Sequence, residues 1–391
     1  MKTPSDRTRL IAGATERGRG RRPVNPPVER ASTMLSDRAD QMRDESLGPV
    51  YGLAGTTAAR GLRTALAGLE GAAESWIVPS GLAAVTVPLL AVARPGDEII
   101  ASDAVYGPSR RFLSRWMTAR GVSVRFHPAG ASADEVAAMI GPSTRAVLIE
   151  SPASLTMEML DAPALAAAAR AKGAVSIMDN TWGAGLAFKP LSHGVDISVQ
   201  AVTKYAAGHS DLLMGAIATN DAALGRAIDG TIEDMGWHVS PDDAWLALRG
   251  LRTLPLRMTE QARSALEITR WLEQRPEVAR VLYPPLPSDP GHALWARDYT
   301  GAASLFGLEM TGGTVEAGRA FLDALSLFGL GYSWGGYESL ATHETHQMAY
   351  RQSPAPMAGE LLRFHVGLED PADLIADLEV GLAAWRDALK D

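Results

Sequence analysis

The sequence predicts an α/β protein in which helices cover both faces of a mostly parallel sheet, followed by a smaller α+β segment. Short apolar runs alternate with stretches of helical spacing through residues 51–245, which is typical of such a sheet. Polar or aromatic residues follow the ends of four apolar runs, and open α/β sheets place their ligand sites at that edge. Beyond Asp242, two helical patterns, a proline-rich joint at 283–287 and further strands indicate the smaller segment.

The elements follow one another in a regular order. Residues 1–50 are rich in Arg, Pro, Ser and Asp and are predicted to form an extended arm, ordered only where it docks. A large domain is expected at 51–245 and a small domain at 246–391. The predicted strands cover 75–78, 97–101, 145–150, the runs before Asp179 and Thr203, 304–310 and 362–366. The last helix is expected to start at Asp370-Pro371, an N-cap residue followed by proline.

Composition argues against several classes of protein. The chain has 391 residues, 46% of them hydrophobic, so it can bury a large core. Its net charge of −8 gives no electrostatic signature for nucleic acid, and the basic run at 17–22 is expected to be a solvated arm. Without cysteine there is no disulfide or thiolate metal site, and the eight histidines show no ligand-like cluster, so no metal is expected. The longest apolar run, at 82–93, is shorter than the ~20 residues of a membrane span, so a cytoplasmic protein is expected.

Two charged residues follow apolar strands and suggest a cofactor. Lys204 follows a β-rich run that starts at Ile197, and burying an unpaired ammonium there is costly. Lys204 therefore either points into solvent or is a desolvated, nucleophilic lysine that bonds a carbonyl group. Asp179 ends a second apolar strand. Pyridoxal phosphate (PLP) needs such a pair, because an aspartate partners its pyridine nitrogen and a lysine holds its aldehyde.

Further candidates lie at the same edge of the predicted sheet. The turn Ser80-Gly81-Leu82 joins a strand to a helix, and the backbone N–H groups of a helix N-terminus suit a phosphate. Tyr106 and Ser151 also fall just past strand ends. Tyr106 taken alone is equally compatible with a half-buried tyrosine whose hydroxyl is wet.

The small domain contributes two unusual features. The stretch 331–339 is too rich in glycine for a packed strand and is typical of a loop that lets backbone approach a ligand. Arg363 lies inside an otherwise apolar strand. It could hold a carboxylate through two parallel hydrogen bonds, or it could form an internal ion pair with a nearby acid.

Four motifs carry a resemblance to a known family. They are Met178-Asp-Asn-Thr-Trp-Gly-Ala-Gly, Ser198-Val-Gln-Ala-Val-Thr-Lys-Tyr-Ala-Ala-Gly-His-Ser-Asp, Tyr332-Ser-Trp-Gly-Gly-Tyr-Glu-Ser and Arg363-Phe-His-Val-Gly-Leu-Glu-Asp. Together they resemble the Cys/Met-metabolism family of PLP enzymes, most closely its bacterial cystathionine β-lyase branch. The resemblance implies fold type I, with an N-terminal arm, a large domain built on a mostly parallel seven-stranded sheet, and a small α+β domain. It also implies a homotetramer of two active dimers.

The resemblance assigns roles to individual residues. Lys204 would be the Schiff-base lysine, Asp179 the pyridinium partner and Tyr106 the residue that stacks on the cofactor ring. The expected phosphate-binding residues are Ser80, Gly81, Leu82, Thr203 and, from a neighbouring subunit, Tyr51. The expected substrate-binding residues are Arg363, Ser333, Trp334 and Tyr332. The expected catalytic residues are Lys204, Tyr106 and Tyr51.

The implied activity is α,β-elimination of L-cystathionine, a step of methionine biosynthesis that yields homocysteine, pyruvate and ammonia. Trp334 favours a β-acting enzyme, and the stretch Gly107-Pro108-Ser109 lacks the cysteine that methionine γ-lyases place there. The alternatives are a γ-acting member of the family, a cysteine-S-conjugate β-lyase and a non-catalytic binding protein. The last of these is disfavoured because Lys204 and Asp179 are both present.

One position departs from the family pattern. The family places an arginine two residues after the tyrosine at 51, where it grips the phosphate of the neighbouring subunit. This chain has Leu53 there, which removes a charge-assisted contact. Either Arg60 or Arg63 compensates, or the cofactor is held less tightly.

Overall fold

The computed structural model describes residues 4–12, 21, 23–354 and 356–390. The N-terminal arm is only partly extended: it starts with a short helix, α1 (Asp6–Ala12), that buries Leu10, and it also contains two short 3-10 helices, Ala39–Gln41 and Glu45–Leu47. Of the basic run at 17–22, only Arg21 lies within the described residues, so the prediction of a solvated arm stays untested.

The large domain is built on a seven-stranded sheet, as the resemblance implied. The strands are β1 (Glu74–Val78), β2 (Glu98–Ser102), β3 (Ser123–His127), β4 (Thr144–Glu150), β5 (Val175–Asp179), β6 (Ile197–Gln200) and β7 (Gly215–Thr219). Their order across the sheet is β1-β7-β6-β5-β4-β2-β3. Only β7 runs antiparallel to its neighbours, so the prediction of a mostly parallel sheet is confirmed.

Helices pack on both faces of this sheet because its central strands are buried on both sides. The strand β4, for example, buries six of its seven residues. The helices of this part are α2 (Thr57–Glu70), α3 (Gly81–Val92), α4 (Gly107–Arg111), α5 (Ala133–Met139), α6 (Ala162–Ala171), α7 (Ala222–Met235) and α8 (Pro241–Leu251). Among the described residues, none of the helices is both long and apolar enough to cross a membrane.

The smaller segment contains a second, five-stranded sheet. Its strands are β8 (Val278–Leu282), β9 (Leu305–Met310), β10 (Gly329–Leu330), β11 (Leu340–His343) and β12 (Leu361–His365), in the order β10-β11-β12-β9-β8. Its helices are α9 (Leu254–Leu272), α10 (His292–Asp298), α11 (Val315–Asp323) and α12 (Pro371–Ala388). The central strand β12 is anchored by Phe364, which stacks on Phe306 at 5.6 Å between ring centroids. This anchoring fixes the strand that carries Arg363.

Two boundaries differ from expectation in detail. The strand before Lys204 ends at Gln200, and Lys204 lies in the following turn, where its N–H donates to the carbonyl of Ala201. The expected domain boundary after residue 245 falls inside α8, so that division stays a prediction.

The predicted cap of α12 is present, because the Asp370 side chain accepts from the N–H of Ala372.

Candidate active site

A cavity of about 460 Å³ lies at the carboxyl ends of the large-domain strands and is closed by residues of the small segment. Eleven of the twelve predicted site residues line it: Ser80, Gly81, Leu82, Tyr106, Asp179, Thr203, Lys204, Tyr332, Ser333, Trp334 and Arg363. The twelfth, Tyr51, lies outside the cavity of its own chain and is 54% exposed. A residue that serves a neighbouring subunit is expected to be exposed in this way.

Lys204 points into the cavity rather than into solvent. Its Nζ donates a 2.7 Å hydrogen bond to Oγ of Ser333 and lies 5.2 Å from the ring centroid of Trp334. Burial, and then the charge of Arg363, lower the pKa of Lys204 to about 8, while Asp179 opposes this shift. A substantial fraction of the amine is therefore neutral near physiological pH, as a nucleophile and proton acceptor requires.

Asp179 presents one carboxylate oxygen to the cavity. Its Oδ1 accepts from both the N–H and the hydroxyl of Thr181, and the described hydrogen bonds leave Oδ2 without a partner. Burial raises the pKa of Asp179. A protonated nitrogen placed opposite Oδ2 would satisfy this atom and stabilise the charged form of the acid.

A second carboxylate, Glu150, lies on the neighbouring strand directly opposite Asp179, and the sequence analysis missed it. One of its oxygens accepts from the N–H of Tyr106 at 2.7 Å, which fixes the backbone that carries this ring. Burial, and then the adjacent Asp179, raise the pKa of Glu150 to about 8. Glu150 therefore holds a proton near neutral pH and adds no second negative charge beside Asp179.

The phosphate end of the cavity is formed by the N-terminus of α3. The side chain of Ser80 accepts from the N–H of Ala83, and the described hydrogen bonds leave the N–H groups of Gly81 and Leu82 open. A Cβ on Gly81 would lie 2.5 Å from Cβ of Ala201, so only glycine allows this close packing. Two open N–H groups at a helix N-terminus are a site for an anion.

Thr203 lines the same end of the cavity but is already engaged. Its hydroxyl donates to the carbonyl of Met214 and accepts from the N–H of the same residue. To donate to a phosphate as predicted, the hydroxyl would have to give up the carbonyl of Met214, since it carries a single proton. The predicted role of Thr203 stays a prediction.

Arg60 and Arg63, the residues that could compensate for Leu53, differ in whether their guanidinium groups are already engaged. Arg63 donates to the carbonyl of Ser75 at 2.7 Å and lies over the ring of Trp76, so its guanidinium is engaged away from the cavity. Arg60 is exposed on α2. Neither arginine lines the cavity of its own chain.

Arg363 combines both of the roles considered for it. It lines the cavity, and its guanidinium lies 3.5 Å from a carboxylate oxygen of the fully buried Glu344. The hydroxyl of Thr342 and the side-chain amide of Gln347 donate to the same carboxylate. Glu344 thus balances the charge of Arg363, and the N–H groups of Arg363 that do not face Glu344 are left for a ligand.

A short segment of the small domain, residues 351–353, crosses to the large domain beside the cavity. Arg351 donates to the carbonyl of Ser154 at 2.9 Å, and the N–H groups of Gln352 and Ser353 donate to the carboxylate of Asp103. No local sequence pattern indicates this contact, because its partners are about 200 residues apart or more.

Ser151 is a correction to the sequence analysis. It was expected at the ligand edge of the sheet, but it is buried and does not line the cavity. Its hydroxyl accepts from the N–H of Leu160 at 3.0 Å and lies 3.4 Å from the carbonyl of the same residue. The side chain therefore caps a neighbouring turn instead of facing a ligand.

Comparison with known proteins decides the family. The sequence model of the Cys/Met metabolism PLP-dependent enzymes matches residues 7–383. The chain belongs to this family. As a Cys/Met-metabolism enzyme it uses PLP as its cofactor and has the fold type I architecture.

Several relatives extend over nearly the whole chain. A cystathionine beta-lyase of Bordetella avium is 42% identical over 93% of this chain and 93% of its own length. The cystathionine beta-lyase MetC of Escherichia coli K12 is 39% identical over 92% and 93%. Among solved structures, a cystathionine gamma synthase of Xanthomonas oryzae pv. oryzae, in complex with aminoacrylate and cysteine, has a TM-score of 0.92 at 31% identity, with 99% of this chain and 100% of that chain covered.

The residues of the cavity fit the cofactor of the family. The open Oδ2 of Asp179 suits a pyridine nitrogen, and the open N–H groups of α3 suit a phosphate. Tyr106, held by Glu150, would cover the ring, and Lys204 would bind the aldehyde carbon. Bound in this way, PLP supplies an electron sink that makes the Cα–H bond of an amino acid acidic.

We expect Lys204 to titrate far below an ordinary lysine. In the cofactor-free protein, reductive methylation followed at pH 6–10 by peptide mass spectrometry should modify Lys204 half-maximally near pH 8. The exposed Lys172 is the control for a lysine amine that solvent reaches freely. Coincident pH profiles for the two residues would show that the cavity does not desolvate the Lys204 amine.

Replacement of Leu53 by Arg is expected to strengthen cofactor retention, because it restores the cation that the family places two residues after the tyrosine at 51. The measurement is the amount of PLP retained during extended dialysis, quantified by absorbance after release in alkali. Leu53→Gln, which is polar but uncharged, is the matched control and should behave like the wild type. Unchanged retention in Leu53→Arg would show that another residue already supplies the charge.

Proposed function

We propose that this enzyme is a carbon–sulfur lyase that performs α,β-elimination on L-cystathionine and releases homocysteine, pyruvate and ammonia. The observation that carries the proposal is the 2.7 Å contact between Lys204 Nζ and Ser333, beside Arg363. This arrangement places a proton acceptor next to a carboxylate-binding group. Relatives 39–42% identical to this chain are named cystathionine beta-lyase, which supports the same assignment.

The chain's own residues divide the work of the proposed reaction. Arg363 and Ser333 bind the α-carboxylate of the substrate and thereby orient its Cα–H bond towards Lys204. The neutral Nζ of Lys204 removes the Cα proton, which a lysine with a pKa of about 8 can do near neutral pH. The Cβ–S bond then breaks, and the sulfur leaves as a thiolate that takes up a proton. Water hydrolyses the three-carbon enamine that is released, which yields pyruvate and ammonia.

Trp334 favours β- over γ-elimination. Its ring lies 5.4 Å from that of Tyr205 and 5.2 Å from Nζ of Lys204, so the indole borders the space in which the amine can move. Elimination at Cγ requires proton transfer at Cβ as well as at Cα, and therefore a longer reach for the same lysine. The γ-acting alternative keeps some support from the γ-synthase structure at 31% identity.

The decisive experiment identifies the keto acid formed from L-cystathionine by the PLP-loaded enzyme. Pyruvate together with homocysteine is expected, whereas 2-oxobutyrate with cysteine would assign the protein to the γ-lyases. Lys204→Ala should lower the turnover number by at least about 10³-fold, because it removes both the cofactor anchor and the proton acceptor. Lys172→Ala, at an exposed position, is the control. Retained turnover in Lys204→Ala would contradict the mechanism.

We further propose that the active unit is a dimer, assembled in pairs into a cytoplasmic homotetramer. Apolar side chains along the arm support this assembly, because Leu35 is 94% exposed and Met42 and Leu47 are more than half exposed in the single chain. Tyr51 directly follows this arm, lies away from its own cavity, and is proposed to reach the phosphate of the neighbouring subunit.

Mixing two inactive variants tests whether Tyr51 acts between subunits. Lys204→Ala and Tyr51→Ala subunits, dissociated and reassembled together, should recover about a quarter of wild-type activity, since half of the dimers are hybrids with one intact site each. Each variant, treated alone in the same way, is the control and should stay inactive. No recovery despite hybrid assembly, verified by differential tagging, would place Tyr51 in its own subunit's site or outside catalysis.

A further inference from the structure

A buried hydrogen-bond network lies directly behind Lys204 and involves residues to which the proposed reaction gives no role. Its members are Tyr205, Ser304 and His365, each no more than 1% exposed. Tyr205 follows Lys204 in the chain, Ser304 precedes β9, and His365 ends β12 two residues after Arg363. Because side chains alternate along a strand, Arg363 and His365 project from the same face of β12.

The hydroxyl of Ser304 fixes the tautomer of His365. This hydroxyl carries one proton, and its shortest acceptor is the carbonyl of Val366 at 2.8 Å. It must then accept from Nδ1–H of His365 at 3.1 Å and from the hydroxyl of Tyr205 at 3.2 Å. The Tyr205 hydroxyl accepts in turn from the N–H of Ser304, so every donor in this group has an acceptor.

With the proton on Nδ1, Nε2 of His365 is an acceptor. The N–H of Gly335 points at it across 3.1 Å. The carbonyl of Gly336 lies 3.2 Å from Nε2 but already accepts from the side-chain amide of Gln261 at 2.6 Å. Burial is the main cause that lowers the pKa of His365, to about 3, so the ring stays neutral at physiological pH.

Gly335 connects the hydrogen bond of His365 to the loop that borders the cavity. It has a φ of +84°, and a Cβ on it would lie 2.6 Å from the backbone nitrogen of Tyr205, so the loop rests directly on the Lys204-Tyr205 peptide. Ser333, two residues earlier, has a φ of +94°, which is strained for a residue with a side chain. A strained residue keeps its conformation only where its surroundings impose it, and the hydrogen bond to His365 is one such restraint.

We propose that His365 positions the Ser333-Trp334 loop against Lys204 by accepting the Gly335 N–H, and so sets the affinity of the site for the substrate carboxylate. His365 does not itself line the cavity and is therefore a positioning residue. The inference rests on the proposed function only in that Ser333 binds the substrate carboxylate.

Two amide substitutions separate the two ends of the imidazole. His365→Gln can place an amide oxygen where Nε2 lies and so keep an acceptor for Gly335. His365→Asn reaches only the position of Nδ1 and keeps the contact with Ser304, but leaves the Gly335 N–H buried without an acceptor. We expect His365→Asn to raise the KM for L-cystathionine about tenfold or more with kcat changed less than about threefold, and His365→Gln to stay within about threefold of wild type in both.

A binding measurement keeps this test independent of the proposed reaction. Glycine has the amine and carboxylate of the substrate but no leaving group, so its Kd, from the absorbance change of the PLP-loaded enzyme, should rise in His365→Asn and not in His365→Gln. If the wild type makes no pyruvate from cystathionine, the proposed function fails while the glycine titration still decides the role of His365. Equal effects of the two variants on the Kd, or no effect of either, would overturn the inference. Should His365→Asn not fold, a Kd near wild type in His365→Gln supports the inference and a tenfold rise overturns it.

Discussion

The hydrogen bond between Lys204 and Ser333 is the contact on which the rest of the site depends. It joins a turn of the large domain to a loop of the small one, and it holds a desolvated amine that burial would otherwise leave unpaired. Its geometry requires a strained φ at Ser333 and a glycine at 335. The large sheet supplies the amine and the small sheet supplies the restraint, so neither domain forms the site alone.

Much of this arrangement could be predicted from local sequence. Apolar strands followed by Asp179 and Lys204 identified the ligand edge of the sheet, since strand ends have a clear sequence signal. Ser151 showed the limit of that rule, because the same signal marks side chains that cap turns. Glu150 and His365 also end apolar strands, but they were missed because their roles depend on partners far away in the chain. The hydrogen-bond partners of these two residues can be identified only from the tertiary structure, which brings the residues together.

The balance of charge explains why the cavity tolerates so many ionisable groups. Glu344 lies against Arg363 and neutralises its positive charge. Glu150 is protonated and therefore adds no second negative charge beside Asp179. The phosphate end differs, because the N-terminus of α3 offers it the open N–H groups of Gly81 and Leu82. Affinity for the cofactor phosphate therefore depends on the geometry of this helix end.

The contact of residues 351–353 with Asp103 and Ser154 has a consequence for substrate entry. It fastens the two domains together beside the cavity through three hydrogen bonds, in addition to the contact at Lys204. A hinge opening of one domain against the other would break all of them together. Tyr332 and Tyr350 line the cavity and are both 70% exposed, so their side chains can rotate without breaking any of these contacts. Side-chain rotation therefore requires less rearrangement than domain opening as a way of admitting a substrate.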